Sequence, residues 1–187
     1  MFEHLLESYE KVFEDIISSI VSNCMWEIKS RGRQYRKEKY TSRRTIKSNL
    51  FLNLSHSNRW SLMPLPKDFY RPNLTQSAAD MLVSLKNLLN LLNESLAVKL
   101  FMIILKRLTI EIDKYFYEDI IKETQFNDGG SSQMAHDVNK YLLSILSQYA
   151  GEVKIETYFR RYVSLLYDLI LIRGLISIIF YLEPKRL

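Results

Sequence analysis

The sequence is poor in cysteine, glycine and proline, with one Cys, five Gly and four Pro among 187 residues. The single cysteine, Cys24, excludes an intrachain disulfide framework and a thiolate metal cluster, and it is typical of a protein from a reducing compartment. So few turn-forming residues disfavour an all-β protein, which needs many tight turns. With 47% hydrophobic and 25% charged residues, the composition is that of a globular chain rather than a disordered one, and the length fits one domain.

The sequence also lacks a secretory leader. Its opening, MFEHLLESYEK, is acidic and amphipathic, whereas a signal peptide begins with basic residues followed by an apolar block. The apolar run from Tyr162 to Leu182 is long enough to span a bilayer, but it contains Asp168 and Arg173, each costing roughly 2.5–3.5 kcal/mol near a membrane centre. We therefore predict a cytoplasmic protein whose C-terminal run is a buried helix.

Motifs for catalysis and for metal binding are missing as well. The three histidines lie in separate predicted elements, and none has a second histidine at metal-binding spacing. The adjacent Gly129 and Gly130 are not followed by Lys, as a phosphate-binding loop requires, and a calcium loop starting at Asp128 lacks the alternating acidic ligands. We therefore predict a protein that is not an enzyme, with no catalytic residues, no metal site and no cofactor.

Positive charge is concentrated in residues 29–47, which hold nine Lys or Arg against one acid, Glu38, in a chain of net charge +5. With Tyr35 and Tyr40, this segment has a composition suited to phosphate contacts and base stacking. It would equally suit a protein partner or an anionic membrane surface, or form a solvated helix end where cations favour the C-terminal dipole. The candidates for a partner or anion surface here are Arg33, Arg36, Lys37 and Lys39.

Apolar residues recur with helical spacing through most of the chain. They predict helices over about 2–28, 75–92, 94–123 and 133–149, and one or two more from Ile155 onwards. No segment shows sustained β alternation. The predicted fold is an all-α, antiparallel helical bundle of about five to six helices, forming a single domain over residues 1–187.

Two non-helical segments are predicted. Residues 41–74 contain three of the four prolines and no sustained period, which indicates a long irregular connection. The segment Asn127–Gly130 is predicted to be a tight turn in which the glycines take unusual φ values and a serine caps the next helix. Gly151 is predicted to end that helix with a left-handed conformation.

The glycine segment carries a resemblance. YFYEDIIKETQFNDGGSSQMAHDV is similar to the C-terminal region of the RINT/TIP family, in which a Phe is separated by two residues from Gly-Gly or Gly-Ala, followed by a small residue, Gln, and Asp four residues after the Gln. The matching residues here are Phe126, Gly129, Gly130, Gln133 and Asp137. The segments YRKEKY, LTQSAADMLVSLKNLL and YFRRYVSLLYDLI resemble further parts of the same region, in the same order.

The resemblance implies a helical rod like those of exocyst, COG and GARP subunits. Members of the family belong to the Dsl-type (NRZ) tethering complex of the endoplasmic reticulum (ER). The implied function is non-enzymatic vesicle tethering in Golgi-to-ER retrograde transport, with ER SNAREs and other tethering-complex subunits as partners and peripheral contact with the ER membrane. Family members are several hundred residues long, so this chain would correspond to a C-terminal part of such a rod. The competing hypothesis is a nucleic-acid-binding helical domain that uses residues 29–47.

Within the resemblance, two sets of residues are singled out. The residues Phe126, Gly129, Gly130, Gln133 and Asp137 would form a structural corner, in which Gln133 and Asp137 tie the turn to the end of the preceding helix. The last helices would dock a helical SNARE domain through exposed aromatic anchors, since recognition between helices relies on apolar side chains with charged rims. The candidate anchors are Tyr158, Tyr162 and Tyr167.

Overall fold

The computed structural model describes residues 2–37, 60, 73–124 and 126–162. These residues form α-helices, two π-helical turns and one 3₁₀ turn, and they include no strand. The α-helices are α1 (Phe2–Arg31), α2 (Arg33–Lys37), α3 (Gln76–Ser95), α4 (Val98–Tyr115), α5 (Asp128–His136) and α6 (Leu143–Ala150). The π turns are π1 (Phe116–Ile121) and π2 (Asp137–Leu142), and the 3₁₀ turn is Ile155–Tyr158.

Helix α1 packs through its second half only. Its buried residues are Ile17, Val21, Cys24, Met25 and Ile28, and they lie against α3 and α4. Residues 2–16 of the same helix are exposed. Within the described residues, the apolar side chains of this helix are therefore covered only from Ile17 onwards.

Helices α3 and α4 are separated at Leu96 and Ala97, which both adopt extended backbone conformations. The break lies slightly after the predicted position near Asn93 and Glu94. Thr75 precedes α3 as its N-cap residue, and its side chain makes no capping hydrogen bond. Helix α4 supplies the centre of the bundle, with Phe101, Ile104, Leu105, Leu108 and Ile112 each at most 1% exposed.

Two π turns continue the helices at their C-terminal ends. Turn π1 follows α4 directly, and π2 connects α5 to α6. A π turn carries hydrogen bonds from residue i+5 to residue i, as between the Lys122 amide and the Tyr117 carbonyl (3.1 Å). Because the wider turn shifts the 3.6-residue register, it changes which side chains face the core.

The predicted all-α helical bundle is confirmed for the described residues. Most of the predicted connection 41–74 lies outside them, and the single domain and the rod architecture stay predictions. Gly151 ends α6 with φ 59° and ψ −120°, so the positive φ is as predicted, although ψ lies outside the left-handed helical region. Among the described helices, none is both long and apolar enough to cross a membrane, and the run after Tyr162 lies outside the described part of the chain.

Candidate functional site

Trp60 is held between the ends of α2 and α5. It is fully buried, its ring meets Tyr35 edge-on at 5.0 Å between centroids, and the Phe126 ring lies tilted against it at 5.5 Å. Its indole N–H donates to the Tyr35 carbonyl (3.3 Å), and its own carbonyl accepts the amide N–H of Asn127 (3.0 Å). Trp60 thus joins two segments far apart in sequence through both rings and backbone.

Gly130 permits the close approach of Trp60. A Cβ atom at this position would lie 2.0 Å from the Trp60 carbonyl oxygen, which is far inside van der Waals contact. The two glycines belong to the first turn of α5, and the only described glycine with positive φ is Gly151. The prediction of unusual φ values at Gly129 and Gly130 is therefore wrong, and at Gly130 the requirement is for space.

The N-cap of α5 is Asn127 rather than the predicted serine. Its side-chain oxygen accepts the Gly130 amide N–H at 2.8 Å. An Asn at this position satisfies one of the free amide groups at a helix start. Asn127 therefore fixes the start of α5 with its side chain and holds Trp60 with its backbone.

Asp137, at the start of π2, is 2% exposed and accepts three hydrogen bonds from described residues. Its Oδ1 accepts the Thr75 amide N–H (3.2 Å) and Gln133 Nε2 (3.0 Å), and its Oδ2 accepts the Tyr35 hydroxyl (3.2 Å). Gln133 Nε2 also donates to the Asn73 carbonyl (2.7 Å). Gln133 and Asp137 are thus bonded to each other, but they tie α5 to α2 and to the residues before α3, not to the end of α4 as predicted.

We call Phe126, Asn127, Gly130, Gln133 and Asp137 the α5 clamp. The α5 clamp contacts Trp60, the segment Asn73–Thr75 and Tyr35, and each of these hydrogen bonds joins residues that are 60 or more positions apart in sequence. Four of its five members belong to the predicted corner motif. Gly129, the remaining residue of that motif, is buried in the same turn.

Burial dominates the electrostatics of the α5 clamp. Removal from water raises the pKa of the Asp137 carboxyl above its ordinary value, while the hydrogen bonds from Thr75, Gln133 and Tyr35 act in the opposite direction. Burial, and then the charge of Asp137, raises the pKa of Tyr35 well above its ordinary value. Among the described residues, the donors to the carboxylate are a backbone amide, a side-chain amide and a tyrosine hydroxyl, an arrangement that fixes segments in place.

A second buried carboxylate lies on α4. Asp113, 3% exposed, accepts the amide N–H of Arg161 at Oδ2 (3.1 Å) and that of Tyr162 at Oδ1 (3.0 Å). Burial raises the pKa of Asp113, and the two backbone hydrogen bonds and Arg161 oppose that shift. Asp113 thereby anchors the segment after the 3₁₀ turn.

Only some of the residues predicted to contact partners are exposed. Arg33 and Arg36 are exposed and Tyr158 is half-buried, as their placement in a binding surface requires. Tyr162 is 1% exposed, so its prediction as an exposed anchor is wrong, since its ring packs edge-on against Phe159. The side chain of Lys37, and Lys39 and Tyr167 entirely, lie outside the described residues.

Part of the basic segment is neutralised within the protein. Lys29 pairs with Asp119 of π1 (2.9 Å) and Arg31 pairs with Glu27 (2.9 Å). Tyr35 is fully buried, so it is unavailable for base stacking. These contacts give no support to the nucleic-acid hypothesis.

The sequence pattern did not indicate Trp60 or Asp113 as buried contacts, and it placed Tyr35 in a base-stacking surface although its ring is buried. A lone Trp in a polar, proline-containing stretch is a signal that could have marked Trp60 as an anchor. Asp113 follows Ile112 on a helix whose apolar residues leave little solvated face, which could have indicated a buried carboxylate. Within the described part of the chain, no group of three or more His, Cys, Asp or Glu side chains could hold a metal ion.

Comparison with known proteins gives a family match. The RINT-1/TIP-1 family model matches residues 1–171. The RINT1-like protein of Drosophila melanogaster is 22% identical over 149 residues, which cover 80% of this chain and 18% of that protein. The chain thus spans about a fifth of the length of this relative, and no solved structure matches it significantly. The resemblance inferred from the sequence motifs is confirmed: the chain belongs to the RINT-1/TIP-1 family, which is a tethering-type family and not a known enzyme family.

Proposed function

We propose that this chain is part of a non-enzymatic vesicle-tethering subunit in Golgi-to-ER retrograde transport, acting in the cytoplasm at the periphery of the ER membrane. The observation that carries the proposal is the family match over residues 1–171. The α5 clamp supports it, because four residues of the family-like motif hold distant segments together instead of forming a reaction site.

A tether must transmit position over a distance, which requires helices that do not slide past one another. The α5 clamp supplies this property because buried hydrogen bonds to a charged acceptor are directional and are costly to break. Asp113 has the same effect on the segment beginning at Arg161. Both buried carboxylates thus fix the relative positions of backbone segments.

The proposed partners are ER SNAREs and other subunits of the tethering complex. We propose Arg33 and Arg36, two exposed residues of the basic segment, for contact with an acidic partner, because the exposed Lys29 and Arg31 already form salt bridges. Because Tyr162 is buried, its replacement by Asp would test stability and not docking. Tyr158 remains a proposed anchor beside Tyr167.

The test is affinity isolation of the tagged full-length protein from its own cells, probed for ER SNAREs and tethering subunits, with return of a Golgi-to-ER cargo measured in parallel. We expect co-isolation, reduced at least about tenfold by the double substitution Arg33→Glu and Arg36→Glu, which corresponds to about 1.4 kcal/mol. The matched control is Lys99→Glu with Lys154→Glu, since both of these lysines are exposed. Absence of both SNAREs and tethering subunits from the isolated, folded protein would refute the proposed function.

A further inference from the structure

The first half of α1 carries an apolar stripe that no described residue covers. Its members recur at intervals of three and four residues, the spacing of a helix face that packs on another helix. They are Phe2 (87% exposed), Leu5 (52%), Leu6 (61%), Tyr9 (67%), Val12 (55%), Phe13 (44%) and Ile16 (54%). We call these seven residues the α1 stripe.

The α1 stripe differs from the scattered apolar residues of an ordinary surface. Seven large side chains, each exposed by about half or more, adjoin along four turns, and patches beyond a few hundred Å² generally mark interaction sites. The same helix buries its second half from Ile17 onwards against α3 and α4. One continuous helix is thus half inside the bundle and half uncovered by the described residues.

A row of acids follows one edge of the α1 stripe. Glu3, Glu7, Glu10 and Glu14 are spaced by four, three and four residues, so they line up along the helix beside Leu6 and Phe13. Glu14 pairs with Arg107 of α4 (2.6 Å), and within the described residues it is the only member of the row in a salt bridge. Like charges at this spacing repel one another, so the row favours a cationic partner.

We propose that the α1 stripe and its acidic row bind a basic amphipathic α-helix, with its apolar face on the stripe and its Lys or Arg along the row of Glu3, Glu7 and Glu10. The acids disfavour an anionic membrane surface, which attracts helices with basic flanks. They also disfavour a second copy of this chain, because each copy would bring its own acidic row. This inference holds whether or not the chain tethers vesicles.

The experiment uses the full chain and two synthetic helices of about three heptads with the same Leu and Ile core positions. One probe carries Lys at the flanking positions and the other carries Glu. Binding is followed by fluorescence anisotropy at two salt concentrations. We expect the basic probe to bind at least about tenfold more tightly than the acidic probe, with a preference that falls as salt screens the charges.

Two sets of variants locate the surface. Leu5→Ala, Tyr9→Ala and Val12→Ala together should weaken the basic probe at least about tenfold while keeping the helix, since Ala has the highest helix propensity. Glu3→Lys, Glu7→Lys and Glu10→Lys together should reverse the preference between probes. The matched control is the triple variant Val83→Ala, Leu91→Ala and Ile110→Ala, at exposed positions elsewhere, which should bind like the parent chain.

Three results would overturn the proposal. The first is that a chain with native circular dichroism shows no preference between the probes, either because it binds both with equal affinity or because it binds neither. The second is self-association in sedimentation equilibrium that the Ala variant of the α1 stripe abolishes, which would make a second copy the occupant. The third is binding to vesicles of anionic phospholipid that the same variant abolishes, which would make a membrane the occupant.

Discussion

Two buried tyrosines with different hydroxyl environments show how a single polar atom contributes to the fold. The Tyr35 hydroxyl donates to Asp137, whereas the Tyr162 hydroxyl is buried and has no hydrogen-bond partner among the described residues. A buried polar group without a partner carries its full desolvation cost. The rings of both residues are almost completely buried, so the pair isolates the effect of the hydroxyl.

We therefore expect Tyr162→Phe to leave the free energy of unfolding unchanged or to raise it, and Tyr35→Phe to lower it by about 1–3 kcal/mol. Urea denaturation followed by circular dichroism measures both. Each variant serves as the control for the other, because the volume change is the same. A larger loss for Tyr162→Phe than for Tyr35→Phe would contradict this account.

At Gly130, the structure predicts that replacement by Ala lowers stability, whereas helix propensity alone predicts that it raises stability. In a helix, Gly→Ala ordinarily stabilises by up to about 1 kcal/mol. Here the added methyl group would meet the Trp60 carbonyl, so we expect Gly130→Ala to destabilise by about 1–3 kcal/mol. Denaturant midpoints and Trp fluorescence measure the effect, with Ser132→Ala, exposed in the same helix, as the control. A stabilised Gly130→Ala would show that Trp60 does not lie against α5.

Asp137 gives a prediction about pH. Its pKa is raised in the folded protein above the ordinary value of 3.8, so the folded state binds the proton more tightly than the unfolded state does. The stability that this proton contributes is present below the ordinary value and is lost as the pH rises through the folded pKa. We expect the unfolding free energy of the parent, minus that of Asp137→Asn, to fall as the pH rises from the ordinary value of 3.8 through the folded pKa. A difference that rises with pH would instead indicate a lowered pKa.

At the scale of elements, Asp113 connects α4 to the segment after the 3₁₀ turn by accepting two backbone amides. This is the chemistry of a helix N-cap, but the acceptor comes from another helix and not from the preceding residue. Such a connection fixes where the next element begins. Loss of this connection should therefore affect the backbone near Arg161 as well as the stability of the whole protein.

We expect Asp113→Ala to lower the free energy of unfolding by about 1–2 kcal/mol and to speed hydrogen exchange at the amides of Arg161 and Tyr162. Denaturation and amide exchange detect the two effects. Glu111→Ala, exposed on the same helix, is the matched control and should change neither. Unaltered exchange at both amides in Asp113→Ala would remove the proposed capping role.

At the scale of the whole molecule, the bundle depends on α4, whose apolar side chains meet α1 and the elements after α5. Ile104 is fully buried and Ile110, on the same helix, is 44% exposed. Replacing either isoleucine by Ala removes the same side-chain atoms. Only the first leaves a cavity in the core.

We therefore expect Ile104→Ala to cost about 2–5 kcal/mol and Ile110→Ala less than about 1 kcal/mol. Thermal and urea unfolding give both values. Equal costs would mean that Ile110 is covered in solution. That outcome would place a contact on a surface that the described residues leave open.

The sequence alone determined the helices, because apolar spacing is a local property that repeats every few residues. It also indicated the family, through the spacing of Phe126, Gly130, Gln133 and Asp137. It could not determine what these residues touch. Only the tertiary structure decided that Gly130 makes room for Trp60, that Asp113 and Asp137 are buried, and that Tyr35 and Tyr162 lie in the core. Those assignments depend on neighbours that are 48 to 102 residues away in the chain, and local pattern carries no information about such distances.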